Sequence, residues 1–217
     1  MTASQPVALL LHGWMSHPVA WAALARDLRT NGYRVEAPFY PSRRLPLSRI
    51  AARLAQWMTV QGLESAPRLD IIGHSMGGLV ARALIATHRP PNLGSVVMLG
   101  TPNAGSEIAD WLNTHPAGRM LLGRAAPVLV TRREEWLLTH LGPVDYPLGV
   151  IAGSQALFES PFTRNLPKPH DGKVSVAATH LEGQSDHIVL PITHSMLPFH
   201  RASREQALHF LAQGAFH

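Results

Sequence analysis

The chain has 217 residues, 46% hydrophobic and 15% charged, which is enough apolar material for a sizeable core and argues against a disordered chain. With no cysteine, disulfide scaffolds, thiolate metal sites and cysteine nucleophiles are all excluded. The net charge of +5 rests on arginines in short pairs, Arg43-Arg44 and Arg132-Arg133, or scattered singly, not on the basic run expected of a nucleic-acid binder.

The first predicted element is the unbroken apolar run Val7–Leu11, as expected of a parallel strand covered on both faces. A helix is expected from Ser16, with Pro18 just behind its start. It continues through Val19, Ala22, Ala23, Arg26 and Leu28 to a stop at Asn31-Gly32. Residues 33–37 read as a second short strand, and the loop 38–46 is punctuated by proline. Ser48 opens a helix through Ile50, Leu54, Trp57 and Met58 that ends near Gly62. Residues 69–73 form a third strand leading straight into a helix over 77–88. Strands follow at 96–99 and 148–152, a sixth lies within 185–192, and a last helix runs from about Ser203 to Ala212.

Strand and helix alternate, which predicts an α/β domain over residues 1–217 with a mostly parallel sheet and right-handed crossovers. The exception is the insertion 104–142, read as two or three short amphipathic helices carrying Trp111, Leu112, Leu121, Leu122, Leu129, Trp136 and Leu137. At the carboxyl end of a central strand it overlies the crevice where such sheets bind ligands, so a cap or partial lid is expected. The alternative is that these helices extend the core. No apolar run approaches the ~20 residues needed to span a bilayer, and Met1 to Pro6 has no basic n-region. A cytoplasmic protein without a transmembrane segment is the expectation. Thirteen histidines are present, but none falls in a His-Glu-x-x-His or comparable spacing, so neither metal nor cofactor is expected.

The strongest chemical signal is Gly73-His74-Ser75-Met76-Gly77-Gly78. It is G-x-S-x-G after an apolar strand and before a helix with Leu79, Val80, Ala83 and Leu84 on its apolar side. In that context the serine sits on a sharp, strained strand-to-helix turn that projects its hydroxyl. The flanking glycines let helix and strand approach too closely for larger side chains.

Together with Leu10-Leu11-His12-Gly13-Trp14 and Leu99-Gly100-Thr101-Pro102-Asn103-Ala104-Gly105, this motif resembles the α/β-hydrolase superfamily, most closely its small lipases and esterases, including the lipid-deacylase-like branch. The resemblance runs from about residue 7 to 213, with no recognisable motif over 106–147. It implies a minimal six-stranded sheet in the order 2-1-3-4-5-6, flanked by helices, with a small helical cap insertion. It also implies a triad in chain order serine, acid, histidine. Ser75 is then the nucleophile, and the histidine after the last strand is His194, ahead of His200 and His187. Asp171, in a segment resembling the Asp-Gly-x-Val of related hydrolases, is the acid, with Asp186 and Glu159 as rivals. The oxyanion hole falls to the backbone N–H groups of Met76 and, by resemblance to His-Gly-x hydrolases, of Trp14. His12 and His74 brace the loop and the elbow.

The function implied is hydrolysis of carboxylic esters of apolar acyl groups through an acyl-enzyme. Thioesterase or acyltransferase chemistry on the same triad, and a catalytically silent hydrolase-fold binding module, are the alternatives. The expected partner is a small-molecule ester, not a nucleic acid.

Overall fold

A computed structural model describes residues 5–156, 163, 164 and 166–217 of the chain. Six strands, β1 (Val7–Leu11), β2 (Arg34–Glu36), β3 (Leu69–His74), β4 (Leu93–Leu99), β5 (Leu148–Gly153) and β6 (Asp186–Leu190), form one sheet in the order β2-β1-β3-β4-β5-β6. Every neighbouring pair is parallel. Side chains alternate between the two faces, and both faces are covered. Val7, Leu9 and Leu11 pack with Leu69, Ile71, Val96, Met98, Leu148 and Val150 against one helical layer. Ala8 and Leu10 pack with Ile72, Val97, Leu99 and Ile151 against the other. That is why β1 carries no polar residue.

The first layer holds α2 (Leu47–Val60) and α3 (Met76–Thr87). The second holds α1 (Ala22–Thr30) and the last helix, Arg201–Gln213. The helix expected from Ser16 begins later in the structure. A 3₁₀ turn, Pro18–Trp21, precedes the helix and shifts its start, so Trp21, Leu24, Ala25 and Leu28 are buried while Val19 is 69% exposed. Of the residues expected at helical spacing, Leu28 is buried, while Ala22 and Arg26 face solvent.

The insertion forms four short helices, where two or three were expected: α4 (Glu107–Thr114), α5 (Pro116–Leu122), α6 (Ala126–Leu129) and α7 (Glu135–Leu141). Pro116, with no N–H to continue α4, restarts the chain as the first residue of α5. Ala109, Leu122, Ala125, Val128, Leu129, Leu137 and Leu141 join the α2–α3 core. Trp111, Met120, Trp136 and Leu138 point outward and are 42–75% exposed. Arg133 ties the insertion together: its guanidinium donates to the carbonyls of Pro102 (2.7 Å), Asn103 and Val128 (2.9 Å). Burial lowers its pKa to about 10, which leaves it charged at neutral pH. After β5, α8 (Val176–Thr179) precedes β6, and α9 (Arg201–Gln213) closes the chain.

Candidate active site

β3 ends at His74 and α3 begins at Met76, so Ser75 alone makes the turn. It does so at φ 55° and ψ −126°, a strained conformation for a residue with a Cβ. The turn is held from both sides: the Ser75 N–H donates to the Leu99 carbonyl (2.8 Å), and the Ser75 carbonyl accepts from the Gly78 N–H (3.0 Å). Close approach explains the glycines. A Cβ on Gly77 would stand 2.0 Å from the Leu11 carbonyl oxygen, and one on Gly73 would stand 2.6 Å from the Gly78 nitrogen. Both obstacles are backbone and cannot swing aside. Gly77→Ala is therefore expected to cost roughly 3 kcal/mol or more, the upper end for overpacking. At Gly62 an added Cβ meets nothing within 4 Å, and only the φ of +67° opposes it. Gly62→Ala should cost only about 1–2 kcal/mol. Urea unfolding of the two variants checks the contrast.

His194 is the first residue of a 3₁₀ turn, His194–Met196, in the loop after β6. Asp171 heads a tight turn after β5, where its Oδ1 accepts the backbone N–H groups of Lys173 (2.9 Å) and Val174 (2.8 Å). Its Oδ2 accepts from His194 Nδ1 at 2.7 Å, and the His194 N–H donates to the Asp171 carbonyl at 2.9 Å. With the Nδ1 proton committed to the carboxylate, Nε2 is left as an acceptor. Ser75 Oγ lies 3.0 Å from it. The Asp171 carboxylate is fully buried and the His194 ring is only 5% exposed. The arrangement gives the Ser75 proton an acceptor, and gives the resulting imidazolium a buried negative partner.

The rivals lie elsewhere. Asp186 begins β6 at the amino-terminal edge of the sheet, where its carboxylate accepts the N–H groups of His187 (2.7 Å) and Phe216 (2.8 Å). His187 contacts Thr179 Oγ1 (2.9 Å) and stacks on His180. Burial, then that neighbouring ring, pulls its pKa down to about 4. His200 caps α9 by accepting the Ala202 N–H. Glu159 lies outside the described residues.

His74 and His12 hold the surrounding backbone. His74 Nε2–H donates to the His194 carbonyl (3.0 Å), and burial, with His194 beside it, keeps its pKa well below the ordinary histidine value. It stays neutral and does not repel a protonated His194. His12 satisfies both ring nitrogens: Nδ1–H donates to the Gly13 carbonyl (2.9 Å) and Nε2 accepts the Tyr40 N–H (3.3 Å). The Tyr40 hydroxyl donates to the His12 carbonyl, and the two rings stack at 4.0 Å. Ser42 Oγ accepts the Met15 N–H (2.9 Å). Residues 40–42 thus clamp the loop that carries Gly13 and Trp14. Nothing in the sequence of that proline-rich loop pointed to the clamp, because its partner lies 28 residues away.

Met76 is the first residue of α3, so its N–H has no acceptor within the helix and sits at the positive end of the helix dipole. Trp14 lines the crevice in front of Ser75 and His194, together with Pro102, Val174 and, from the insertion, Ile108, Ala109, Leu112, Leu122 and Leu129. The cavity is about 80 Å³ and mostly apolar, with Ser106 and Lys173 as its further polar lining. Among the described residues no cluster of histidine and carboxylate groups could hold a metal ion, and no helix is long and apolar enough to cross a membrane.

Two solved structures share this architecture along nearly the whole chain. The mature form of the lipase BlEst2 from Bacillus licheniformis superposes with a TM-score of 0.76 at 18% identity, covering 99% of this chain and 93% of its own. The phospholipase PlaB from Legionella pneumophila superposes with a TM-score of 0.77 at 16% identity, covering 98% of this chain and 60% of its own. The fold is that of the α/β-hydrolases. In sequence, the chain is 34% identical over 105 residues to a triacylglycerol lipase of Pseudarthrobacter phenanthrenivorans. It is also 34% identical over 98 residues to a pimeloyl-[acyl-carrier protein] methyl ester esterase of Aromatoleum aromaticum. Each match covers 45% of this chain, which spans only 33% and 38% of the length of these relatives. Residues 2–117, from before β1 into the start of α5 and so including the serine elbow, match the family described as a domain of unknown function (DUF7379), and the chain belongs to that family.

Proposed function

We propose that the protein is a serine hydrolase that cleaves carboxylic esters of apolar acyl groups through an acyl-enzyme intermediate. The observation that carries this is the hydrogen-bonded series Ser75 Oγ, His194 Nε2, His194 Nδ1, Asp171 Oδ2, opening on an apolar crevice. Its relatives named as lipases and esterases support it.

In the proposed reaction Ser75 Oγ attacks the ester carbonyl carbon as its proton passes to His194 Nε2. The tetrahedral oxyanion is met by the N–H groups of Met76 and Trp14. Collapse breaks the bond to the alkoxide, which takes the proton from His194. Water then repeats the attack on the acyl-serine, with His194 as base, and the carboxylic acid leaves. Asp171 stabilises the imidazolium at each stage and holds the ring in the working tautomer. We read residues 1–217 as one hydrolase domain, in which the 104–142 insertion acts as a small cap walling the acyl side of the crevice.

The test is a panel of acyl esters and thioesters, from short to long chain, run against the intact enzyme and Ser75→Ala. Each methylene buried against Ile108, Leu112, Leu122 and Leu129 contributes about 0.8 kcal/mol, so kcat/KM should rise up to about fourfold per carbon until the crevice is filled. Helices of 4–8 residues, rooted in the core through Leu122, Leu129 and Leu137, act as a wall. Activity is therefore expected on dissolved short-to-medium esters, with no jump at the solubility limit. A sharp rise as an emulsion forms would show a mobile lid and overturn the wall. Faster thioester than ester turnover across the panel would move the substrate class to thioesters.

A further inference from the structure

Arginines close together in the chain before and within α2 are joined in space by one from the insertion. The Arg124 N–H donates to the Arg43 carbonyl (2.9 Å), joining the turn after α5 to the loop before α2. This brings Arg124 beside Arg44 and beside Arg49 and Arg53, one turn apart on the exposed side of α2. The four line an open groove of about 620 Å³ to which no acidic residue contributes. Their side chains make no ion pair or hydrogen bond among the described residues. Elsewhere on the surface, arginines at positions 34, 89, 201 and 204 are each matched by a carboxylate. Like charges at i and i+4 on a helix repel, and an anion seated between them relieves that repulsion.

A second cavity adjoins the groove and shares Pro46 and Arg124 with it. It is a narrow apolar slot of about 40 Å³ between α2, α3, α6 and α7, with room for the head-proximal part of a tail, walled by Leu47, Ala83, Val128, Trp136 and Leu137, with Thr87 at its edge. None of its lining residues belongs to the crevice at Ser75. An apolar slot opening onto unpaired guanidinium groups has the polarity of an amphiphile with one anionic end. The planar, weakly hydrated guanidinium suits a carboxylate or phosphate in a bidentate grip.

We propose that this composite site, separate from the serine crevice, binds a single-chain anionic amphiphile, with a carboxylate or phosphate head in the arginine groove and the alkyl tail in the slot.

Octanoate is the probe, with butyrate and inorganic phosphate as the short-tailed and tail-free comparisons. Protection of individual arginines from phenylglyoxal, mapped by peptide mass spectrometry, separates this site from any binding at Ser75. Octanoate is expected to protect Arg49, Arg53 and Arg124 at concentrations at least tenfold below those butyrate needs, while the exposed Arg26 reacts throughout. Arg49→Gln with Arg53→Gln should weaken protection of Arg124 by about tenfold or more, given the strength of hydrogen bonds to charged groups. Thr87→Trp, which fills the slot, should abolish the advantage of octanoate over butyrate. Both variants should keep the wild-type rate on a soluble ester and an unchanged or higher melting temperature, which shows that they fold. Equal protection by octanoate, butyrate and phosphate would overturn the role of the slot. Protection of Arg124 that survives the double substitution would overturn the groove. Protection by phosphatidylglycerol vesicles alone would make the face a membrane-docking surface and overturn the amphiphile site.

Discussion

Ser75→Ala is expected to lower kcat on a soluble ester by roughly 10⁶-fold, leaving the residual rate that binding and the oxyanion donors supply without a nucleophile. The size of the effect follows from the geometry. No other hydroxyl is hydrogen-bonded to His194 Nε2 among the described residues, so removing Oγ leaves the base with nothing to activate. A fluorophosphonate should label Ser75 in the intact protein and fail to label the variant. Ser154, whose hydroxyl donates to the Leu190 carbonyl, and Ser195, beside the base in sequence, are the positions to watch. An adduct mapped to either would overturn the nucleophile. Stability should move in the opposite direction when Ser75 becomes glycine. The strained φ of 55° costs a residue with a Cβ on the order of 1–3 kcal/mol, offset in part by the greater freedom of glycine in the unfolded chain. Ser75→Gly is accordingly expected to be inactive and about 1 kcal/mol more stable.

Asp171→Asn is expected to lower kcat/KM by roughly 10⁴-fold, with KM far less affected. Two backbone N–H groups point at Oδ1, so the amide oxygen of asparagine must stay on that side to accept them. Its NH₂ then faces His194 and donates to Nδ1, which forces the ring proton onto Nε2. A protonated Nε2 cannot take the proton of Ser75. The imidazolium would in any case have lost its buried counter-charge. Asp186→Asn should stay within a few-fold of wild type, because its carboxylate serves the N–H groups of His187 and Phe216 at the far edge of the sheet. Kinetics of the two variants side by side decide between the acids. A crippled Asp186→Asn with an active Asp171→Asn would reverse the assignment.

Contiguous residues were enough to read what is decided locally. A fully buried parallel strand must be apolar on both faces, so Val7–Leu11 is visible without its neighbours. The elbow is visible because its strain, its glycines and its hydroxyl occupy six consecutive positions. The family resemblance carried the strand order and drew attention to Asp171 and His194, which the structure hydrogen-bonds to each other, with His194 in turn bonded to Ser75. What the sequence could not determine depends on partners distant along the chain. The inner face of α1 is set by Trp21, Leu24, Ala25 and Leu28 packing with Ala8 and Leu10 of β1, which the spacing within the helix does not reveal. The insertion could be read as a cap or as core because the pattern of an amphipathic helix shows which side is apolar but not what that side covers. Only packing on α2 and α3 sends Leu122, Leu129 and Leu137 inward and leaves Trp111 and Trp136 outside. Tyr40 gained its role from a histidine 28 positions earlier. Three arginines of the groove, Arg44, Arg49 and Arg53, are close in the chain, but Arg124 joins them only through the fold, where its N–H donates to the Arg43 carbonyl.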